Sequence, residues 1–310
     1  MARRSPTLMV WQGVMTVQGG CMRVGGAGSV SAKTPSLRQN RARMLSYRAT
    51  LDLPDTIVRR ISAWLSTHRR RHDQRPWQRA ATCWTQAILL CRWMIDATPI
   101  HRLARDHGLS QATCYRYLHE ALDVVAERAP DLRDVLTERQ TAGDRFVCLD
   151  GTLIATTAVH IPAEQGRSTD AWYSGKHHRH GGNVQVLTDS SGFPIWTSPV
   201  SPGSTHDLTA AHQHVLPALY PAAAQGLKTL TDKGYQGAGI GICHPIKGHH
   251  LAPDTVARNR LITQLRAPAE RANAVLKHFK ALQKVTLDPW NITQIVRSAL
   301  VIATHMRGTW

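Results

Sequence analysis

The hydrophobic pattern of the chain changes at Gly143, from helical spacing before it to short strand-like runs after it. Between Pro54 and Glu138, apolar residues recur three and four positions apart, as on the buried faces of helices. After Gly143, β-branched or alternating runs bounded by Gly, Pro and Asp predict strands over 145–157, 183–189, 193–200 and 227–232. A helix is predicted over 206–220, and helical spacing returns from Asn259. The second part therefore predicts an α/β or α+β layer, in which helices cover a sheet.

The chain has 310 residues, enough for two domains of ordinary size. Residues 1–43 are rich in Gly, Ser and Arg without periodicity, which predicts a disordered segment or an extension upstream of a natural start at Met44. Residues 44–140 form a predicted helical domain and residues 141–310 a predicted α/β domain.

Composition narrows the class of protein. Lys and Arg outnumber Asp and Glu 38 to 21, a formal charge of +17, which favours a polyanionic partner such as nucleic acid. The most apolar segment, 80–97, contains Gln86, Arg92 and Asp96, so it predicts a buried helix rather than a membrane span. The six cysteines include no C-x-x-C pair, which favours reduced thiols in a cytoplasmic protein over a disulfide or zinc framework.

The segment 99–122 has the spacing of a helix-turn-helix. A first helix carries Ile100, Leu103 and Ala104, Gly108 supplies the turn, and Ser110 is a suitable N-cap for the second helix. The residues predicted to reach bases in a major groove are Gln111, Thr113, Tyr115 and Arg116, with His119 as a further candidate. The alternative is an ordinary pair of antiparallel helices in a bundle, and the positive charge of this part of the chain favours DNA.

Three carboxylates in the predicted α/β domain stand in positions that suit metal binding. Asp150 and Asp232 each follow an apolar strand-like run, and Glu270 lies in a predicted helix over 264–282. In such a helix Arg266, four residues before Glu270, and Lys277, seven after it, share its face. That arrangement also fits a solvated ladder of ion pairs. Likewise, Asp232 alone fits an ordinary turn.

If the two strands are neighbours, a helix packed across their ends brings the third acid to the first two. Oxygen ligands with open coordination positions suit Mg²⁺ or Mn²⁺. A pair of such ions promotes attack at phosphorus and stabilises the leaving oxygen. On this hypothesis Arg266 and Lys277 contact substrate phosphates.

The order of several motifs resembles a known family. The motifs are LDGT, WYSGKHHRHGGNVQVLTD, GSTHD, LTDKGYQG and RAPAERANAVLK. Together they resemble the DDE transposases of the bacterial insertion-sequence-five group, which are related to the Harbinger-type nucleases. The resemblance covers roughly residues 45–310, including the predicted helix-turn-helix.

The resemblance implies an RNase H-like catalytic domain with Asp150, Asp232 and Glu270 as an acidic triad that holds two Mg²⁺ or Mn²⁺ ions. It also implies cleavage and transfer of DNA strands at the ends of an element, by a homodimer or larger assembly. Lys176 lies in a basic stretch, 176–182, predicted to contact DNA, and no membrane partner is expected. His206 and Asp207 match a G-x-x-H-D stretch of the family, which favours support of the metal site; capping of the next helix by Asp207 is the alternative.

Two other functions are compatible with the sequence. One is a DNA-binding protein without catalysis, either a decayed transposase or a regulator. The other is a nuclease on the same fold that cuts without transposing.

Overall fold

The structure is a computed structural model that describes residues 50–158 and 170–307. The predicted extension over residues 1–43 lies outside these residues. Five helices precede the sheet in the described ranges: α1 (Asp55–Arg71), α2 (Cys83–Asp96), α3 (Ile100–Asp106), α4 (Gln111–Ala126) and α5 (Leu132–Thr141). None of the described helices is both long enough and apolar enough to cross a membrane.

The turn between α3 and α4 forms as the sequence predicts. Gly108 adopts a positive φ of 63°, and the Leu109 N–H donates to the Ala104 carbonyl at 2.8 Å, which closes the end of α3. Ser110 caps α4, because its hydroxyl oxygen accepts a hydrogen bond from the Thr113 N–H at 3.1 Å. Only four residues therefore separate the two helices.

Some predicted helix boundaries were wrong. The buried helix predicted over 80–97 begins only at Cys83, and the second helix of the segment 99–122 continues to Ala126 as one helix of 16 residues. The predicted helix over 206–220 is two helices, α6 (Asp207–His214) and α7 (Leu216–Ala224), because the backbone of Val215 is not helical.

The sheet is mixed. The strands are β1 (Phe146–Ala155), β2 (Tyr173–Ser174), β3 (Arg179–Thr188), β4 (Pro194–Thr197), β5 (Ser201–Pro202), β6 (Lys228–Leu230) and β7 (Ile242–Cys243). Their order is β2-β3-β1-β6-β7, with β4 and β5 also paired to β3. β1 is antiparallel to β3 and parallel to β6, and β6 is parallel to β7. The four predicted strands are confirmed as β1, β3, β4 and β6.

Helices cover both faces of the sheet. One core contains side chains of β1 and β3, such as Ile154 and Val186, together with α1 to α4 and the C-terminal helix α10 (Ile292–Met306). A second core lies on the other face, where Val147 and Leu187 pack with α5, α6 and α7. The α/β architecture with flanking helices is consistent with the RNase H-like fold.

The N-terminal helices and the C-terminal helix share one core. α10 packs against α4, and the Ser298 hydroxyl donates to the Leu122 carbonyl at 3.1 Å in a fully buried contact. Helices α1 to α4 and one face of the sheet therefore belong to the same core as α10. The division at residues 140 and 141 stays a prediction about sequence and function rather than about separate cores.

Candidate active site

Asp150 and Asp232 lie at matching positions on neighbouring strands. The parallel register of β1 and β6 pairs Cys148 with Leu230, so each acid lies two residues beyond this pair. Asp150 is not at a strand end, since β1 continues to Ala155 in its pairing with β3. β6 ends at Leu230, and the edge of β1 beside Asp150 is therefore open on that side.

Asp232 also organises the turn that follows β6. Its Oδ1 accepts a hydrogen bond from the Gly234 N–H at 2.8 Å, at the start of a 3₁₀ turn over Lys233–Tyr235. A Cβ atom on Gly234 would lie 3.0 Å from the same oxygen. The ordinary turn role of Asp232 is thus present, and glycine at 234 leaves its carboxylate uncrowded.

The first acid is partly buried among charged neighbours. Burial raises the pKa of the Asp150 carboxyl to about 6; the carboxylates of Asp232 and Asp207 also raise it, whereas Arg266 and Lys176 lower it. The guanidinium of Arg266 lies 3.7 Å from the Asp150 Oδ1. The structure therefore brings together three acids, Asp150, Asp232 and Asp207, and two basic residues, Arg266 and Lys176. The five residues come from five parts of the chain.

The structure brings the residue before Glu270 to this site, but it does not bring the Glu270 carboxylate together with the two Asp residues. Ala269 is buried in a small cluster with Cys148 and Leu230, the paired residues two positions before the two Asp residues. Glu270 itself is exposed, and none of the hydrogen bonds or ion pairs given for the described residues involves it. It is also not among the charged groups that shift the pKa of Asp150.

The predicted helix over 264–282 is interrupted. α8 (Pro253–Arg266) passes through a 3₁₀ turn at Ala267–Ala269 into α9 (Glu270–His278). The turn is held against the loop between β3 and β4, where a Cβ on Gly192 would lie 1.8 Å from the Pro268 carbonyl oxygen. The backbone break explains why Arg266 contacts Asp150 rather than forming an ion-pair ladder with Glu270. Lys277 is exposed on α9.

Asp207 does not cap α6 with its side chain. It is the first residue of that helix, and its Oδ1 accepts from the Asn183 Nδ2 at 2.8 Å. Its Oδ2 accepts from the Lys176 Nζ at 2.9 Å. His206 is exposed at the N-cap position and makes no side-chain cap.

Lys176 is thereby directed to the acids. Its hydrogen bond to Asp207 raises the pKa of Lys176, and the carboxylates of Asp232 and Asp150 act in the same direction. The sequence identified Lys176 through its basic neighbours but did not reveal this ion pair. The sequence also did not identify Asn183, Gln185 and Tyr235 as residues of this site. Asn183 and Gln185 alternate with valines in a buried strand, which is the one pattern in the sequence that could have indicated them.

The chemistry of the acids fits a hard divalent cation. Asp150, Asp232 and Asp207 offer carboxylate oxygens, with no thiol or imidazole in the group. Burial raises the pKa of Asp150 in spite of the nearby Arg266, so a cation beside its carboxylate would relieve the cost of burying that charge. Within residues 50–158 and 170–307, no three Asp, Glu, His or Cys side chains already surround a common metal position. Mg²⁺ in particular is often held by one or two carboxylates, waters and substrate phosphate rather than by a complete protein cage.

The exposed face of α4 carries the predicted base-reading residues. Gln111, Tyr115 and Arg116 are exposed, while Cys114, Tyr117 and Leu118 are buried. Thr113 is half-buried, and its hydroxyl accepts from the Arg116 guanidinium at 3.1 Å. The face of α4 that carries Gln111, Tyr115 and Arg116 therefore does not pack in the core.

Comparison with protein families identifies the class of protein. The sequence profile described as "DDE superfamily endonuclease" matches residues 149–303, half of the chain. No curated protein matches the chain. A solved structure titled "Mos1 transposase paired-end complex with left transposon end" is similar at 13% identity, over 69% of this chain and 78% of that chain, with a TM-score of 0.20.

Proposed function

We propose that this chain, which belongs to the DDE superfamily endonucleases, is a transposase of the insertion-sequence-five type that cuts and joins DNA at element ends with Mg²⁺ or Mn²⁺. One observation carries the proposal. The parallel register of β1 and β6 sets Asp150 beside Asp232, and Ala269 packs on Cys148 and Leu230, so that α9 begins next to this pair of acids. We propose that Glu270, the first residue of α9, completes the site when metal and DNA are bound.

In this proposal the three acids share the work of holding cations. Asp150, Asp232 and Glu270 supply the oxygen ligands, and the DNA strand approaches along the edge of β1 beside which β6 has ended at Leu230. Bound there, one or two divalent ions supply activation of the attacking oxygen and neutralisation of charge at phosphorus.

Basic residues orient the substrate. Arg266 and Lys176 already lie among the acids, and Lys277 is exposed two turns along α9 from Glu270. Their cationic groups bind phosphate oxygens and so fix the scissile bond against the acids. If Asp150 held a divalent ion, the Arg266 guanidinium, which lies 3.7 Å from the Asp150 Oδ1, would be available to a phosphate instead. Positioning and charge neutralisation thus account for the chemistry that the side chains themselves perform.

The first prediction is metal-dependent nicking. Purified protein is expected to nick supercoiled plasmid carrying an element end in Mg²⁺ or Mn²⁺, and to stop when EDTA removes the metal. Asp150→Asn protein purified in parallel reports any contaminating nuclease. Absence of nicking in both metals, with specific DNA binding intact, would favour the non-catalytic DNA-binding function instead. Nicking without joining of a 3′-end to a second DNA would favour the nuclease.

We further propose that α3 and α4 act as a helix-turn-helix that places α4 in the major groove of the element end. The short turn at Gly108, the cap at Ser110 and the exposed Gln111, Tyr115 and Arg116 support this assignment. Two element ends brought together by a homodimer or larger assembly complete the proposed reaction.

The second prediction concerns Arg116. Arg116→Ala is expected to weaken binding to an element-end duplex roughly tenfold, because an arginine contact to guanine or phosphate contributes about 1–3 kcal/mol. Arg133→Ala, which removes the same charge from an exposed position on α5, is the matched control. Fluorescence anisotropy at several salt concentrations measures both. Equal weakening by the two variants would show that only net charge matters and would contradict the helix-turn-helix assignment.

A further inference from the structure

A continuous chain of side-chain hydrogen bonds runs from the core to Lys176. The Tyr235 hydroxyl donates to the Gln185 Oε1 at 2.6 Å, and the Gln185 Nε2 donates to the Asn183 Oδ1 at 3.0 Å. The Asn183 Nδ2 then donates to the Asp207 Oδ1 at 2.8 Å. The Lys176 Nζ donates to the other carboxylate oxygen of Asp207 at 2.9 Å.

The direction of every bond in this chain is fixed from the Asp207 end. A carboxylate only accepts, so the amide of Asn183 must present its nitrogen to Asp207 and its oxygen to Gln185. Gln185 must then present its nitrogen to Asn183 and its oxygen to Tyr235, whose hydroxyl is left to donate. Reversing either amide would oppose two like groups, and the network therefore has one arrangement.

The residues that form this series of hydrogen bonds lie in buried parts of the fold. Tyr235 and Gln185 are fully buried, and Asn183 is 5% exposed. Asn183 and Gln185 are two residues apart on β3 and therefore share a face of the sheet. A second bond from Asn183 to the Thr205 carbonyl, at 3.0 Å, holds the loop just before α6. Buried polar groups with all partners in place favour one geometry, because any displacement leaves a group unsatisfied.

We infer that Tyr235, Gln185 and Asn183 form a positioning relay that orients Asp207, and that Asp207 in turn holds the Lys176 ammonium beside Asp150 and Asp232. The role of that ammonium as a contact for the scissile phosphate rests on the proposed function. The relay itself is a property of the free protein. Without it, Lys176 is an exposed lysine on a turn between two strands, with its ammonium free to leave the acids.

The reactivity of Lys176 tests the relay without metal or DNA. Only the neutral amine of a lysine attacks an ester, and the Asp207 carboxylate favours the ammonium form of Lys176. Acylation by an N-hydroxysuccinimide ester in EDTA is therefore expected to be slower at Lys176 than at the exposed Lys284. Peptide mass spectrometry resolves the two sites. Asp207→Asn is expected to raise the rate at Lys176 roughly tenfold, since it removes a charge-assisted hydrogen bond.

Variants inside the relay test whether Tyr235 and Asn183 orient Asp207 or merely lie near it. Tyr235→Phe and Asn183→Ala are each expected to raise the rate at Lys176 roughly threefold or more, because a broken link frees Asp207 to move. The matched control is Tyr220→Phe, whose hydroxyl donates to the Ala238 carbonyl at 2.7 Å outside the relay; it is expected to leave the rate unchanged. In the Asp207→Asn background, Tyr235→Phe is expected to add nothing.

Three results would overturn the inference. These are a wild-type rate at Lys176 equal to that at Lys284, a wild-type rate in both relay variants, and an equal acceleration by Tyr220→Phe. Asn183→Ala gives a second break in the relay if Tyr235→Phe does not fold. Failure of the unmodified protein to nick DNA would count against the proposed function alone, since the acylation experiment contains neither metal nor DNA.

Discussion

Asp150→Asn is expected to lower the rate of metal-dependent nicking on the order of a thousandfold. A bound ion contributes several kcal/mol of charge stabilisation at phosphorus, and about 4 kcal/mol corresponds to roughly that factor. The amide has the shape of the carboxyl but no charge, and its nitrogen does not bind a cation. Nicking under single-turnover conditions in Mg²⁺ measures the loss.

The same substitution is expected to stabilise the metal-free protein at pH 7.5. Because the pKa of Asp150 is raised to about 6 from 3.8, the folded state holds its proton to a higher pH than the unfolded chain does. The stability that this proton contributes is present below about pH 4 and is lost as the pH rises through about 6. Asn carries no charge to bury, so thermal unfolding in EDTA is expected to shift up by roughly 3 °C.

Asp134→Asn is the matched control, since it removes one negative charge from an exposed position on α5. It is expected to leave both nicking and metal-free stability near those of the unmodified protein. A less stable Asp150→Asn protein at pH 7.5 would show that the carboxylate is well compensated by Arg266. That result would contradict the description of a site short of positive charge.

The sequence predicts those residues of the site that follow short apolar runs. Asp150 and Asp232 stand out because each follows an apolar run, and the parallel pairing of those runs places them side by side. The 3₁₀ turn at Pro268 also has a local signal, the proline itself, which the helical spacing of 264–282 outweighed. Proline is tolerated in a first turn, so its presence alone does not distinguish a kink from a new start.

The rest of the site depends on residues far apart in sequence. β5 and β7 have two residues each, too few for any alternation, and they are strands because β3 and β6 provide backbone partners. The relay from Tyr235 to Asp207 likewise joins the 3₁₀ turn after β6 to the start of α6 through β3. No spacing within a single segment contains that information.

Gly151→Ala adds one methyl group, and we expect this addition to be more damaging than that of a methyl group elsewhere in the site. Gly151 pairs with Gln185 across β1 and β3, and a Cβ at 151 would lie 2.3 Å from the Asp207 Oδ1 and 3.0 Å from the Gln185 Nε2. The backbone of Gly151 does not require a positive φ, so alanine fits the strand itself. The methyl group therefore acts by displacing Asp207.

Displacement of Asp207 moves one of the charges that surround Asp150, the residue before Gly151. It also breaks the hydrogen bond that Asp207 accepts from Asn183. A shift of about 1 Å at such a position costs roughly a hundredfold in rate, and we expect nicking to fall by about that factor. Gly175→Ala is the matched control, because nothing lies within 4 Å of a Cβ there although Lys176 is adjacent. If both variants nicked at the unmodified rate, the site would tolerate a displaced Asp207, and its carboxylate would be no part of the machinery. If only Gly151→Ala loses activity while its circular dichroism spectrum is unchanged, the close packing of Asp207 on β1 is what the reaction needs.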